Sequence, residues 1–139
     1  MILDIKEEFH TGDLEEMKAV YQSVGWMKHS PEVIKQVFES SNVIVIVKAE
    51  EQVVGFGRAL SDGVFNAAIY DIVVHREFQN QGIARKIMTR LLDRLQGVSC
   101  VHLISTSGNE EFYKKCGFKK VKTGMARYIR EELQDEYLE

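Results

Sequence analysis

A chain of 139 residues, 45% apolar and 28% charged, has the length and composition of one globular domain spanning 1–139, and excludes a disordered or low-complexity protein. Its net charge of −3 lacks the basic footprint of a nucleic-acid binder and favours cationic or amine-bearing partners instead. No stretch approaches the roughly 20 apolar residues of a membrane span, and the acidic start MILDIKEEFH is unlike a signal peptide, so a cytoplasmic protein with neither nucleic-acid nor membrane partners is expected.

Ile2 to Ile5 reads as a first strand. Thr11–Gly12–Asp13 then introduces a helix whose inward stripe is Leu14, Met17, Val20, Tyr21 and Val24. Asp13 with Glu16 three residues on resembles a capping box, and Gly25 supplies the C-terminal stop. Ser30 and Pro31 open a second helix with Val33, Ile34, Val37 and Phe38 facing inward. Val43 to Val47 is apolar and β-branched throughout, which predicts a strand buried on both faces. Glu50–Glu51–Gln52 turns the chain into a hairpin partner, Val53 to Leu60, which ends at Asp62–Gly63. Ala67 to Val74 is a further strand, interrupted by Tyr70 and Asp71.

Ile83, Ile87, Met88, Leu91, Leu92 and Leu95 recur at intervals of three and four and predict an amphipathic helix closed by Gly97. Val98 to Ile104 reads as a fifth strand, Ser107 to Cys116 as a short helix, and Phe118 onward as two more strands joined near Thr123–Gly124. The acidic last ten or so residues read as a frayed helix or tail. Cys100 and Cys116 form neither a disulfide framework nor a CxxC pair and are expected as reduced core thiols. His75 and His102 have no partner at ligand spacing, so no metal is expected. The element order predicts an α/β (α+β) fold, a central mixed, mostly antiparallel sheet flanked by about four helices.

Gln79–Asn80–Gln81–Gly82–Ile83–Ala84 lies between the fourth strand and the long helix. Unpaired N–H groups and the positive dipole end of a helix start can cradle a pyrophosphate, with Gly82 and Ala84 keeping bulky side chains away; the alternative is an ordinary strand-to-helix turn with solvated basic residues. Arg85 and Lys86 oppose the helix dipole unless an anion is bound. Asp71 places a charge in an apolar strand, which fits either a general base or a structural partner of Arg58 on the preceding strand. Trp26 fits the wall of an acceptor pocket or a core aromatic.

The run Val73–Val74–His75–Arg76–Glu77–Phe78–Gln79–Asn80–Gln81–Gly82–Ile83–Ala84 resembles the acetyl-CoA motif of the GNAT superfamily of N-acetyltransferases, and Phe112–Tyr113–Lys114–Lys115–Cys116–Gly117–Phe118 resembles its FYxxxGF helix end. Tyr21 to Trp26, Gly57 to Gly63 and Tyr70 to Val74 are similar to the branch containing plastid-type serotonin and arylalkylamine N-acetyltransferases and their bacterial relatives.

The resemblance implies acetyl-CoA as cosubstrate, with the backbone of Gln79, Asn80, Gln81, Gly82, Ile83 and Ala84 on its pyrophosphate and Arg85 and Asn109 among its contacts. It further implies that Ile72, Val73 and Val74 pair like a strand with the pantetheine arm, and that an amide near Val73 serves the developing oxyanion. Tyr113 would protonate the departing thiolate. The position seven residues before Tyr113, an Asn in many members, is Thr106. The implied reaction is direct transfer of acetyl to a primary amine of a small molecule in a ternary complex. The alternatives are a non-catalytic acyl-CoA-binding or sensing module and a protein or peptide N-acetyltransferase. The acceptor amine, the acyl-chain range and self-association as a homodimer stay open.

Overall fold

Five strands hydrogen-bond in chain order, β1 (Leu3–Lys6), β2 (Val43–Ala49), β3 (Gln52–Ser61), β4 (Asn66–Val74) and β5 (Cys100–His102), in a computed structural model that describes residues 1–139. The first three pairings are antiparallel and the last parallel, giving the expected mixed, mostly antiparallel sheet. The chain divides into two compact units, Met1–Ser105 and Thr106–Glu139.

In the first unit β2 is almost wholly buried, as its run of β-branched residues requires. Helices α1 (Leu14–Ser23) and α2 (Pro31–Glu39) cover one face of the sheet, where Met17, Val20, Tyr21, Ile34 and Phe38 pack with Ile46 and Phe56. Helix α3 (Ile83–Arg94) covers the other face with Ile83, Ile87, Met88 and Leu91. Alternation along β3 sorts these contacts: Phe56 points to α1 and α2, while the positions of Gly55 and Gly57 face α3. A Cβ on Gly57 would stand 2.7 Å from Ile87 Cγ2, so α3 lies against the sheet only because that side chain is missing.

The ends of α1 show sequence signals resolved in different ways. The capping box does not form: Asp13 lies in a 3-10 turn with helical φ and ψ of −93° and −2°, so its carboxylate cannot fold back onto the helix start. Asp13 instead accepts from Lys48 Nζ at 2.9 Å, and Glu16 accepts from the Val53 N–H at 3.1 Å, so both acids tie α1 to the sheet. At the other end Gly25, with φ of 87°, sets a Schellman motif in which its N–H donates to Gln22 O and that of Trp26 to Tyr21 O, both at 3.0 Å. Ser30 caps α2 as expected, accepting from the Val33 N–H, but Val33 itself is exposed; Ile34, Val37 and Phe38 form the inward stripe.

Strand β5 is shorter than the apolar run suggested. It pairs with β4 over three residues only, and its alternation leaves Cys100 and His102 exposed with Val101 half-buried, so Cys100 is no core thiol.

The second unit holds α4 (Glu110–Lys115) and α5 (Glu131–Tyr137) and no strand. The two strands expected after Phe118 are absent, and Met125 and Ile129 are 98% and 100% exposed. A two-stranded ribbon is marginal without a third strand or an apolar layer to lie on, and this unit contains neither. Its chain is organised instead by Tyr128 stacking on Tyr137, with ring centres 5.5 Å apart, and by Gln134 Nε2 donating to Tyr128 O.

Gly57→Ala is expected to lower stability by about 1–3 kcal/mol, because the stiff β-branched Ile87 cannot turn its methyl aside. Gly97→Ala, which meets nothing within 4 Å, is the control and should leave the denaturant midpoint unchanged or raised. Equal midpoints for both variants would contradict this account of α3 packing.

Candidate active site

Pairing of Phe56 with Val73 and of Arg58 with Tyr70 leaves Gly57 opposite two residues, Asp71 and Ile72. This is a β-bulge, and Asp71 takes up its bend at φ 53°. The left-handed region costs a residue with a Cβ on the order of 1 kcal/mol, and Asp is among the side chains that tolerate it best.

The Asp71 carboxylate is held from two sides. Arg58 Nε donates to Oδ2 at 2.7 Å and the Tyr21 hydroxyl to the same oxygen at 3.2 Å. Arg58 is fixed in turn: its Nη1 donates to Ser41 Oγ at 3.2 Å, and its guanidinium carbon lies 5.0 Å from the centre of the Tyr70 ring. The Ser41 hydroxyl donates to Val37 O at 2.7 Å. With the Arg58 and Asp71 side chains only 14% and 15% exposed, the two charges neutralise each other where neither is well hydrated. The ion pair with Arg58 that the sequence reading offered for Asp71 is present in this geometry.

Burial above all, and then the Asp71 charge, raises the pKa of the Tyr21 phenol, which therefore stays a donor. The His29 ring stacks on Tyr21 with centres 4.0 Å apart, and Trp26 stacks beside both. His29 Nδ1 is buried without a hydrogen-bond partner. Burial pulls the His29 pKa down, against a smaller opposing effect of Asp71, with Arg58 adding to the depression.

Past the bulge the backbone becomes available. Strand β4 pairs with β5 only from Asn66 to Ala68, so its β5-facing edge has no strand partner along Ile72, Val73 and Val74. The following turn is pinned by the His75 N–H donating to Val54 O at 2.8 Å and by Gln79 Nε2 donating to Val74 O at 3.1 Å. His75 takes a local role, its Nδ1 accepting from the Glu77 N–H. Asn80 and Gly82 have φ of 64° and 81°, and Gln79 to Gly82 are exposed. Lys86 N–H to Gly82 O is the first bond of α3, which leaves the N–H groups of Ile83, Ala84 and Arg85 without intrahelical partners. The first turn carries no acidic residue, and Arg85 and Lys86 are exposed.

The structure thus gathers Asp71, Ile72, Val73, Val74 and Gln79 to Arg85 into one stretch of the first unit. Tyr113 and Asn109 belong to the second. There Gly117, with φ of 97°, ends α4 in another Schellman motif, the Gly117 N–H donating to Lys114 O at 3.0 Å and the Phe118 N–H to Tyr113 O at 3.1 Å. The FYxxxGF pattern is this cap written in sequence. It fixes Tyr113 against Phe112 and Phe118, with ring centres 5.2 Å and 6.3 Å away. Burial, followed by Cys116, raises the pKa of the Tyr113 phenol, so it remains protonated at neutral pH. Asn109 precedes α4, its Nδ2 donating to Thr106 Oγ1 at 2.6 Å.

Residues 8–118 match the acetyltransferase (GNAT) family. The chain belongs to that family. It is 34% identical over 119 residues to an uncharacterized N-acetyltransferase ycf52 of Pyropia yezoensis, covering 81% of this chain and 68% of that one. It is 32% identical over 133 residues to the chloroplastic serotonin N-acetyltransferase 2 of Oryza sativa subsp. japonica, covering 88% of this chain and 66% of the relative. Among solved structures, a GNAT-family acetyltransferase from Streptococcus pneumoniae TIGR4 superposes with a TM-score of 0.78 at 30% identity, over 94% of this chain and all (100%) of the other. A probable acetyltransferase from methicillin-resistant Staphylococcus aureus, at 22% identity and a TM-score of 0.82 over 93% and 99% of the two chains, shares the fold. The protein is therefore an N-acetyltransferase.

Sequence reasoning did not single out Ser41 or His29, and placed Tyr21 in an apolar stripe and in a family-like run without a role for its phenol. A tyrosine inside such a stripe is itself a signal, since a buried hydroxyl seeks a partner. Nothing in the spacing marks His29, which reaches the site through the connection between α1 and α2.

His29 yields a pH prediction. Its pKa is lower in the folded chain than the ordinary 6.5 of the unfolded one, so below about pH 6.5 the unfolded state binds the extra proton first. The stability gained from keeping the imidazole neutral is complete above that pH and is lost as pH falls toward the lowered folded value. His29→Phe cannot titrate, so the melting temperature of the native protein should fall more steeply than that of the variant between about pH 7 and pH 5. Parallel melting curves would remove His29 from the account.

Proposed function

We propose that the enzyme transfers acetyl from acetyl-CoA directly to the primary amine of a small molecule in a ternary complex. The observation that carries this reading is the backbone left open from the β4 bulge to the first turn of α3. The edge of Ile72 to Val74 has the polar groups a pantetheine amide needs. The N–H groups of Ile83, Ala84 and Arg85, with the exposed cations of Arg85 and Lys86, suit a pyrophosphate. Acetyl-CoA supplies an activated thioester; the chain's task is to bind and orient it and to manage protons.

An amide near Val73 is the proposed donor to the oxyanion that develops as the amine attacks. Tyr113, on the family motif, is the proposed acid for the departing thiolate, and its raised pKa keeps the phenol protonated beyond the ordinary value of 10. A primary amine with a pKa near 10.4 must lose a proton before attack, at a cost of roughly 4–5 kcal/mol at neutral pH, and the proposed acceptor is the Asp71 carboxylate, directly or through water. The small-molecule acceptor is supported by the serotonin N-acetyltransferase among the relatives.

Two variants test the assignment together. Gly82→Val disturbs the left-handed start of α3 and should weaken acetyl-CoA binding at least tenfold in calorimetry. Tyr113→Phe should bind normally and, on an amine found by a thiol-release screen, turn over roughly 10–1000-fold more slowly. Unchanged affinity in the first would move the cosubstrate site elsewhere, and unchanged turnover in the second would leave Tyr113 a core aromatic.

A further inference from the structure

Side chains from two elements meet on one carboxylate, and a third steadies one of them. Tyr21 reaches Asp71 from α1, Arg58 from β3, and Ser41, just past α2, steadies Arg58. Each donor is itself constrained: Tyr21 is fully buried in the Schellman end of α1 under Trp26 and His29, and Arg58 lies over Tyr70. What they hold is the one bulged residue of β4, at φ 53°.

That position governs everything after it. The bulge lets Gly57 oppose two residues, sends Ile72 toward the α3 face, where its Cγ1 lies 3.2 Å from a Cβ built on Gly57, and restores pairing at Phe56 with Val73. Without the extra residue the remainder of β4 slips by one, and side chains, N–H groups and carbonyls exchange directions from Ile72 onward. The groups proposed to meet the cosubstrate would then turn away from the open edge.

We propose that Tyr21 and Arg58 are positioning residues of the acetyltransferase, acting through the Asp71 carboxylate to hold the left-handed bend that aims the Ile72–Val74 backbone at the cosubstrate. This rests on the function proposed above for that backbone. The hydroxyl and the guanidinium touch no reacting atom. Their effect is the direction of three peptide groups.

The test uses the full chain, acetyl-CoA alone as probe, calorimetry, and backbone amide NMR with and without the probe, at a temperature where every variant is folded. Tyr21→Phe removes one oxygen, and Asp71→Ala removes the carboxylate from a bend that alanine resists. Both should shift the free-state amide resonances of Ile72, Val73 and Val74 and weaken acetyl-CoA binding about tenfold or more. Asp71→Asn tolerates the bend and still accepts both donors, so it should rescue binding to within about threefold. If Asp71→Ala does not fold, Tyr21→Phe with the asparagine rescue decides the question. Folded variants with native amide shifts and native affinity would overturn the proposal. A native chain that fails to bind acetyl-CoA would overturn the proposed function instead, while the free-state shifts of Ile72–Val74 would still judge the clamp.

Discussion

The arrangement of the first unit follows from a mismatch of one residue: Gly57 on β3 faces both Asp71 and Ile72 on β4. Its missing side chain admits both Ile72 of the bulge and Ile87 of α3 on the same face, so a single position serves both the strand pairing and the helix packing. On the other face the bulge brings Asp71 to Arg58 and Tyr21, and an ion pair with little solvent around it stabilises a backbone conformation that most residues avoid. Packing, electrostatics and backbone direction are there a single problem, solved by residues from α1, β3 and β4.

The two units repeat one local device. Tyr21 to Trp26 and Tyr113 to Phe118 share the pattern Tyr-x-x-x-Gly-aromatic, and each closes a helix with the same pair of Schellman bonds. The glycine allows the left-handed turn, and the aromatic after it packs on the tyrosine, whose carbonyl accepts the aromatic residue's N–H. In one case the phenol is spent on holding Asp71. In the other, burial raises the phenol's pKa and keeps it protonated.

Much of this was legible in the sequence because its signals are local. The three- and four-residue spacing of α3, the β-branched run of β2, the proline-led start of α2 and the glycine stops after α1 and α4 each act within a turn or two, and the structure follows them. Where sequence reading failed, a distant partner decided the outcome. Asp13 and Glu16 had capping-box spacing, but Lys48 and the Val53 amide on the sheet claimed their carboxylates. The residues after Phe118 alternate weakly, but strands need neighbours, and none is present in their unit. Cys100 sits in an apolar run but on its exposed side. Asp71 was recognisable as an anomaly; its bend, and the roles of Tyr21, Ser41 and His29, depend on register and on a connection that spacing does not encode.

Family membership establishes an N-acetyltransferase, and the site proposed for it lies along the open backbone that follows the β4 bulge. The central claim is that the chain presents backbone, more than side chains, to acetyl-CoA along one path from the β4 bulge to the start of α3. Amide hydrogen exchange resolved to single residues, with and without saturating acetyl-CoA, tests this most directly. Slowed exchange at amides within Ile72–Val74 and at Ile83, Ala84 and Arg85, with β1 and α2 unaffected, is the predicted result. Binding that leaves those amides exchanging at their free rates would contradict it.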